Sequence, residues 1–250
     1  QPVTMRDGTA LDIINSLNAD LIIVVAFGKI LPKEILESVK YGCINIHASL
    51  LPHLRGAAPI QWSIINGDEI TGVTAQQMDI GIDTGDILMT DTMNIPDDMN
   101  AGELFDVLSE MGADVLMKTI ECVKNGTLNP IKQDDSKSTY ASMLSKEHCP
   151  VDFTKSAKDV HNQIRGLYPW PVATTKINGK TYKIHKSQKV SDKFNGNCGE
   201  VVDNNNRLLV MCGDGNCVEI LEIQAEGKRK TDTASFLRGH KIEIGTILGE

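Results

Sequence analysis

The hydrophobic residues of the first half of the chain follow two different periods. Leu11, Ile14 and Leu17 recur at helical spacing, whereas residues 21–27, LIIVVAF, form an unbroken and largely β-branched run. Such a run is typical of a strand that is covered on both faces, in a parallel sheet. Further strands are predicted at GCINIHAS (42–49), ITGVTAQQMD (70–79) and ILMTDTMNI (87–95). Because helical segments separate most of these runs, the pattern predicts an open α/β sheet.

Helix ends are marked by residues with known positional preferences. Pro59 lacks an N–H that the first turn of a helix could not use, so it predicts the start of a helix that Gly67 ends. Asn100, followed by Glu103, predicts the start of a longer helix that ends at Gly126.

The pattern changes after about residue 143. A polar segment that contains Pro150 leads into a short predicted helix near 156–166, and closely spaced short strands follow from residue 172. Asn178-Gly179 is a strong hairpin signal between two of these strands. Short strands joined by tight turns favour a small β-barrel. We therefore expect two domains, residues 1–145 and residues 146–250.

Charge is divided unevenly between the two predicted domains. The chain has a net charge of −8, but residues 1–150 hold 10 Lys and Arg against 21 Asp and Glu, whereas residues 151–193 hold 9 against 3. A basic second domain suggests a polyanionic partner, although a solvated lysine-rich surface explains the same count.

Composition narrows the class of protein further. No apolar run approaches the roughly 20 residues of a membrane helix, so we expect no membrane association. The six cysteines form no CxxC pair and have no histidine at zinc-ligand spacing. We expect free thiols, no metal and a cytoplasmic location.

Two polar side chains lie at the predicted carboxyl end of a strand, within residues 45–47. Alternate residues share a face, so Asn45 and His47 should point together, away from Ile44 and Ile46. Ligands of open α/β sheets collect at these strand ends, and Asp83 follows a neighbouring predicted strand. An amide, an imidazole and a carboxylate suit acyl transfer through an oxyanion. A histidine at a strand end is more often a hydrogen-bonded surface residue, and the residues alone leave transferase and hydrolase both open.

Longer motifs then identify a family. Asn45-x-His47, the following SLLP (49–52) and Asp83 within IDTGD resemble the signature of the folate-dependent formyltransferases. Within that superfamily the chain is most similar to the enzymes that act on methionyl-tRNA. This similarity is carried by VVAFGKILP (24–32), SLLPHLRGAAPIQ (49–61), TGVTAQQMDIGIDTGDIL (71–88) and YPWPVA (168–173).

The resemblance implies a fold, a reaction and a set of site residues. It implies a Rossmann-like, mostly parallel catalytic domain followed by an OB-like β-barrel that holds tRNA. It also implies transfer of a formyl group from 10-formyltetrahydrofolate to the α-amino group of initiator methionyl-tRNA, by direct attack and without a covalent enzyme intermediate. The implied catalytic residues are Asn45, His47 and Asp83. The implied folate-binding residues are Ile30, Leu31, Ser49, Leu50, Leu51 and Pro52. The lysine and arginine residues that would neutralise tRNA phosphates are Lys155, Lys158, Arg165, Lys183, Lys186 and Lys189.

Two alternatives remain beside this interpretation. A related formyltransferase that acts on a nucleotide sugar or a purine ribotide would use the same three residues, and a non-catalytic RNA-binding protein would keep the same fold. The family begins with a strand and a glycine-containing loop that precede anything in these 250 residues. We therefore expect a catalytic domain that is incomplete at its N-terminus, and we expect a monomer.

Overall fold

The computed structural model describes residues 4–191 and 194–249. Its internal contacts divide the chain into two units. The first comprises Gln1–Ile60, Ile70–Asn94 and Phe105–Met143, and the second comprises Gln61–Glu69, Ile95–Leu104 and Leu144–Glu250. The helices α3 (Pro59–Ile65) and α4 (Ala101–Asn125) each contain residues of both units.

A four-stranded sheet in the order β1-β2-β4-β5 forms the centre of the first unit. Its strands are β1 (Ile22–Val25), β2 (Cys43–His47), β4 (Ile70–Gln77) and β5 (Ile87–Asn94). The predicted parallel pairing holds for β1 and β2, whereas β2–β4 and β4–β5 are antiparallel. The loop that joins β4 to β5 is too short for a crossover between parallel neighbours, so that pair has to be antiparallel. The α/β class is confirmed, with mixed strand directions in this part of the sheet.

Apolar residues of the sheet and of α4 pack together in the first unit. Ile44 and Val73 are fully buried, and Gly112 of α4 lies against Ile46 and Val73. The unit also contains α1 (Thr9–Ser16) and α2 (Lys33–Leu36). The glycine at 112 lets α4 approach β2 closely, because a Cβ there would lie 3.2 Å from the Ile46 side chain.

Two very short strands bring distant residues beside the end of β2. β3 (Arg55–Gly56) pairs in parallel with β6 (Tyr140–Ala141). This pairing, which the sequence pattern does not predict, holds the segment before β6 next to the loop that follows β2.

The predicted start of α4 is confirmed by its hydrogen bonds. The Asn100 side chain accepts from the backbone N–H groups of Gly102 and Glu103, and the Glu103 carboxylate accepts from the backbone N–H of Asn100. This reciprocal cap satisfies N–H groups that have no partner within the helix.

An antiparallel sheet forms the second unit. Its strand order is β7-β8-β11-β10-β9, with β12 paired to β11. The strands are β7 (Ala173–Ile177), β8 (Lys180–Val190), β9 (Val201–Asp203), β10 (Leu208–Met211), β11 (Cys217–Ala225) and β12 (Thr231–Asp232). The pairing path has two ends, so the sheet is a partly open barrel within the described residues. The predicted hairpin turn is confirmed, since Asn178 and Gly179 both adopt the left-handed conformation that it requires.

Two helices accompany this sheet. Helix α5 (Ala157–Gly166) begins at Ser156, whose side chain accepts from the backbone N–H of Asp159, and it matches the predicted helix near 156–166. Helix α6 (Thr233–Gly239) begins at Asp232 and was not predicted.

Cysteine pairing and the apolar character of the helices complete the description of the fold. No disulfide joins the six cysteines, all of which fall within the described residues. Among the described helices, none combines the length and apolar character needed to cross a bilayer.

Candidate active site

The end of β2 places two polar side chains on the face opposite to Ile44. Asn45 lies directly across from Gln76 of β4, and His47 lies across from Thr74. His47 is buried, with 6% of its surface exposed, and Asn45 is half-buried. The alternation expected from a strand therefore holds at this position.

The carboxylate of Asp83, from the β4–β5 loop, lies between these side chains. Its Oδ1 accepts hydrogen bonds from Gln76 Nε2 at 2.7 Å and from Asn45 Nδ2 at 3.4 Å. Its Oδ2 accepts from the backbone N–H of Gly56 at 2.9 Å and lies 3.6 Å from His47 Nδ1. Asn45 and His47 thus both lie beside the carboxylate of Asp83, the third residue singled out from the sequence.

Both ring nitrogens of His47 face oxygen atoms. Nε2 lies 2.9 Å from the backbone carbonyl oxygen of Leu54, and Nδ1 faces the Asp83 carboxylate. A neutral imidazole has only one N–H, so one of its nitrogens would direct a lone pair at an acceptor oxygen. The ring is therefore held by a hydrogen bond at Nε2 and lies beside a carboxylate at Nδ1.

The loop after β2 is shaped by two buried hydroxyl groups. Ser49, which is 1% exposed, donates to the backbone carbonyl of His53 at 2.6 Å. The Thr74 hydroxyl donates to the Ser49 carbonyl at 2.6 Å and accepts from the Leu51 N–H at 3.2 Å. The Ser49 hydroxyl therefore stabilises the loop. Of the four residues 49–52, Leu50 and Pro52 are the more exposed.

The other two residues assigned to folate differ in exposure. Ile30 is 58% exposed, whereas Leu31 is 5% exposed and belongs to a core cluster with Ala10, Ile35 and Cys43. Ile30 can offer apolar surface to a ligand, and Leu31 supports the segment from inside.

The predicted basic residues of the second unit fall into two groups. Lys155, Lys158, Lys183, Lys186 and Lys189 are exposed. Lys189 alone among these five has a described ion pair, with Asp97 at 2.9 Å.

Arg165 has a different environment from these lysines. It is 8% exposed, and its guanidinium donates to the Asn162 side chain and to the carbonyl oxygens of Pro96 and Met99. Burial lowers the pKa of this guanidinium from its usual value. Its donors act within the fold, and we leave it out of the phosphate-binding set proposed below.

Sequence comparison shows the family to which this site belongs. Residues 1–120 match the model described as "Formyl transferase", and residues 143–241 match "Formyl transferase, C-terminal domain". The chain is 48% identical over 250 residues to the methionyl-tRNA formyltransferase of Clostridium novyi, covering 99% of this chain and 81% of the relative. It is 47% identical over 257 residues to that of Lachnospira eligens, covering 100% and 81%.

The chain belongs to the methionyl-tRNA formyltransferase family. Among solved structures, an N-formyltransferase from Helicobacter canadensis, in complex with folinic acid and dTDP-3-aminofucose, superposes with a TM-score of 0.66. It is 26% identical and covers 80% of this chain and 71% of that chain. The superfamily resemblance inferred from the short motifs is thereby confirmed.

Three residues around this candidate site were missed by the sequence analysis. Gln76 contacts the Asp83 carboxylate directly, Gln133 donates to the Asp83 backbone carbonyl oxygen, and Arg55 donates to the Gln133 side chain. Gln76 could have been found, because it lies at the buried positions of a strand pattern where a polar residue is unusual. Gln133 lies in a polar loop with no periodicity, so nothing in its surroundings marks it.

Proposed function

We propose that this protein transfers the formyl group of 10-formyltetrahydrofolate to the α-amino group of initiator methionyl-tRNA, with Asn45, His47 and Asp83 as the catalytic residues. The single observation that supports this most is their convergence. The Asp83 carboxylate lies 3.4 Å from the Asn45 amide and 3.6 Å from the His47 ring.

The proposed reaction is a direct displacement at the formyl carbon. The neutral amine attacks that carbon, and the carbonyl oxygen becomes an oxyanion. The bond between the carbon and N10 of the folate then breaks as N10 takes up a proton, and the attacking nitrogen loses one. Each step conserves atoms and charge without any further reactant.

The site residues stabilise the developing negative charge in this proposal. The amide of Asn45 has two N–H groups, and its 3.4 Å bond to Asp83 orients the amide while leaving the second N–H for the oxyanion. The His47 ring, between the Leu54 carbonyl and Asp83, transfers protons or supplies positive charge in this step. Losing one such donor typically costs roughly 10²–10³ in rate.

The folate is proposed to bind beside the loop after β2. Its pterin would lie against Ile30 and against Leu50 and Pro52, while Leu31, Ser49 and Leu51 hold these surfaces from within. The solved relative that contains folinic acid supports a folate as the donor.

The tRNA is proposed to bind to the domain formed by residues 146–250. Five exposed lysines support this proposal: Lys155, Lys158, Lys183, Lys186 and Lys189. A nucleotide-linked sugar is a small acceptor with few phosphates, so its binding would not require this many exposed lysines. We further propose that the protein acts in the cytoplasm, consistent with its unbridged cysteines, and that it is a monomer.

Single-turnover formylation of methionyl-tRNA tests the assignment of the three residues. Asn45→Ala, His47→Ala and Asp83→Asn should each lower the rate by at least about 10²-fold. Asp106→Asn, which changes an exposed carboxylate on α4, serves as the control and should leave the rate unchanged. Wild-type rates in all three site variants would end the proposal.

An acceptor panel separates the two formyltransferase alternatives. Methionyl-tRNA and a nucleotide-linked amino sugar would be offered with the same folate donor. Formylation of the sugar and not of the tRNA would replace the proposed acceptor while keeping the proposed chemistry.

A further inference from the structure

Gln76 is a buried amide within the proposed catalytic arrangement. It is 1% exposed, it lies on β4 directly across from Asn45, and its Nε2 donates to Asp83 Oδ1 at 2.7 Å. This is the shortest of the described contacts to that carboxylate, compared with 2.9 Å from the Gly56 N–H and 3.4 Å from Asn45.

The other end of the same amide is unsatisfied. Gln76 Oε1 is buried and has no hydrogen-bond partner in the described structure. Rotating the amide by 180° would place this oxygen against the Asp83 carboxylate, which is repulsive, so the present orientation is the favoured one. A buried acceptor without a partner destabilises a fold, whereas an apolar side chain of similar size would avoid that cost.

We propose that Gln76 is a positioning residue for Asp83, at the expense of fold stability. This inference rests on the proposed function of Asp83. Without Gln76, Oδ1 keeps only the 3.4 Å contact with Asn45. The carboxylate can then turn away from His47. It can also accept the second N–H of Asn45, which the oxyanion needs.

The inference also predicts which substitution at position 76 restores the rate. Among the described contacts of the Asp83 carboxylate, the titratable partner is His47, from β2. The other donors are uncharged: the Gly56 N–H of β3, the Asn45 amide of β2 and the Gln76 amide of β4. A side chain at position 76 that donates to Oδ1 again should therefore restore the rate, whereas an apolar one should not.

The experiment compares Gln76→Met with wild type in the full chain. Single-turnover formylation is measured from pH 5.5 to 9, together with thermal unfolding. We expect the rate to fall about ten-fold, which corresponds to losing one hydrogen bond to a charged group. The melting temperature should be unchanged or higher, and KM for methionyl-tRNA should stay within about two-fold of wild type.

Two further variants distinguish positioning from structure. Gln76→Glu can donate to Asp83 only when protonated, so its rate relative to wild type should improve as the pH falls. Gln77→Met is the matched control, since Gln77 is the next residue of β4 and its amide bonds to the Cys43 carbonyl instead. It should leave the rate and the pH profile unchanged.

Each other outcome has a defined meaning. A normal rate in Gln76→Met, with a slow Asp83→Asn, overturns the inference and leaves the proposed function intact. A lower rate with lower stability in Gln76→Met, and no relative recovery of Gln76→Glu at low pH, also overturns it, because Gln76 would then be merely structural. A normal rate in Asp83→Asn instead rejects the proposed function.

Discussion

The side chain of Gln133 holds the backbone of Asp83, donating from Nε2 to the Asp83 carbonyl oxygen at 2.9 Å. The same nitrogen donates to the Gly85 carbonyl at 2.7 Å. Gln133 Oε1 accepts from Arg55 Nε at 3.0 Å and from Arg55 Nη2 at 2.8 Å. Asp83 adopts a left-handed φ of 54°, a conformation that costs a residue other than glycine of order 1 kcal/mol and needs support from its surroundings.

Replacing Gln133 should therefore slow formylation without touching a reacting group. Gln133→Leu removes both donors and leaves the buried Arg55 side chain with one fewer acceptor, and we expect a rate roughly ten- to hundred-fold lower. Gln133→Glu retains the acceptor for Arg55 and loses the donors to the loop, so it should lower the rate while preserving more of the stability. Single-turnover kinetics and urea unfolding measure both effects. Lys132→Ala, at the preceding exposed position, is the control. A wild-type rate in Gln133→Leu would show that the loop keeps its shape unaided.

The strands, and the face on which the proposed catalytic side chains lie, could be predicted because both follow from a period of two. Alternation places Asn45 and His47 together, and the long motifs supply Asp83. The contribution of Gln133 could not be predicted, since it depends on the β3–β6 pairing, and two-residue strands have no periodicity to detect. Arg165 illustrates a different limit. Counting charges cannot distinguish an exposed cation from one whose donors are engaged inside the fold.

Gly85 should tolerate no side chain. A Cβ at this position would overlap the backbone carbonyl oxygen of Gln77, which cannot move without disturbing the β4–β5 pairing. We expect Gly85→Ala to destabilise the protein by about 1–3 kcal/mol or more, and to displace the loop that positions Asp83. Urea unfolding and single-turnover kinetics would both report the change. Gly239→Ala is the control, because nothing lies within 4 Å of its new Cβ. Equal effects of the two substitutions would contradict the close approach at Gly85.

The buried His161 should make stability depend on pH. Its Nδ1 lies 3.0 Å from the Ser187 hydroxyl and its Nε2 lies 3.3 Å from the Asp97 carbonyl oxygen. Burial lowers the pKa of His161 below its ordinary 6.5. The hydrogen bond to the Asp97 carbonyl and the charge of Asp98 oppose this shift, whereas the charges of Arg165 and Lys189 add to it. Below pH 6.5 the unfolded chain thus binds this proton more readily than the folded protein does, so stability declines as the pH falls through that window.

Denaturant unfolding at pH 7.5 and pH 5.5 measures this slope. His161→Gln removes the titrating ring, so its loss of stability between the two pH values should be smaller than that of wild type. Burial also lowers the pKa of His185, so part of the slope should remain and should decrease further in the double variant. An identical slope in wild type and His161→Gln would mean that the folded protein binds the His161 proton as readily as the unfolded chain does.

The proposed tRNA surface should be visible in the salt dependence of binding. Each lysine that contacts a phosphate releases a counterion, so replacing it should reduce the slope of log Kd against log salt by roughly one. We expect this for several of the exposed lysines at 155, 158, 183 and 186, each changed to Ala and measured by filter binding from 50 to 300 mM KCl.

Lys189 should contribute less, because Asp97 already lies 2.9 Å from its ammonium. Arg165→Met should leave the slope unchanged and lower the stability, since its guanidinium donates to the Pro96 and Met99 carbonyls. If all four lysine variants kept the wild-type slope while Arg165→Met reduced it, the phosphates would have to bind through a buried side chain, and the proposed surface would be wrong.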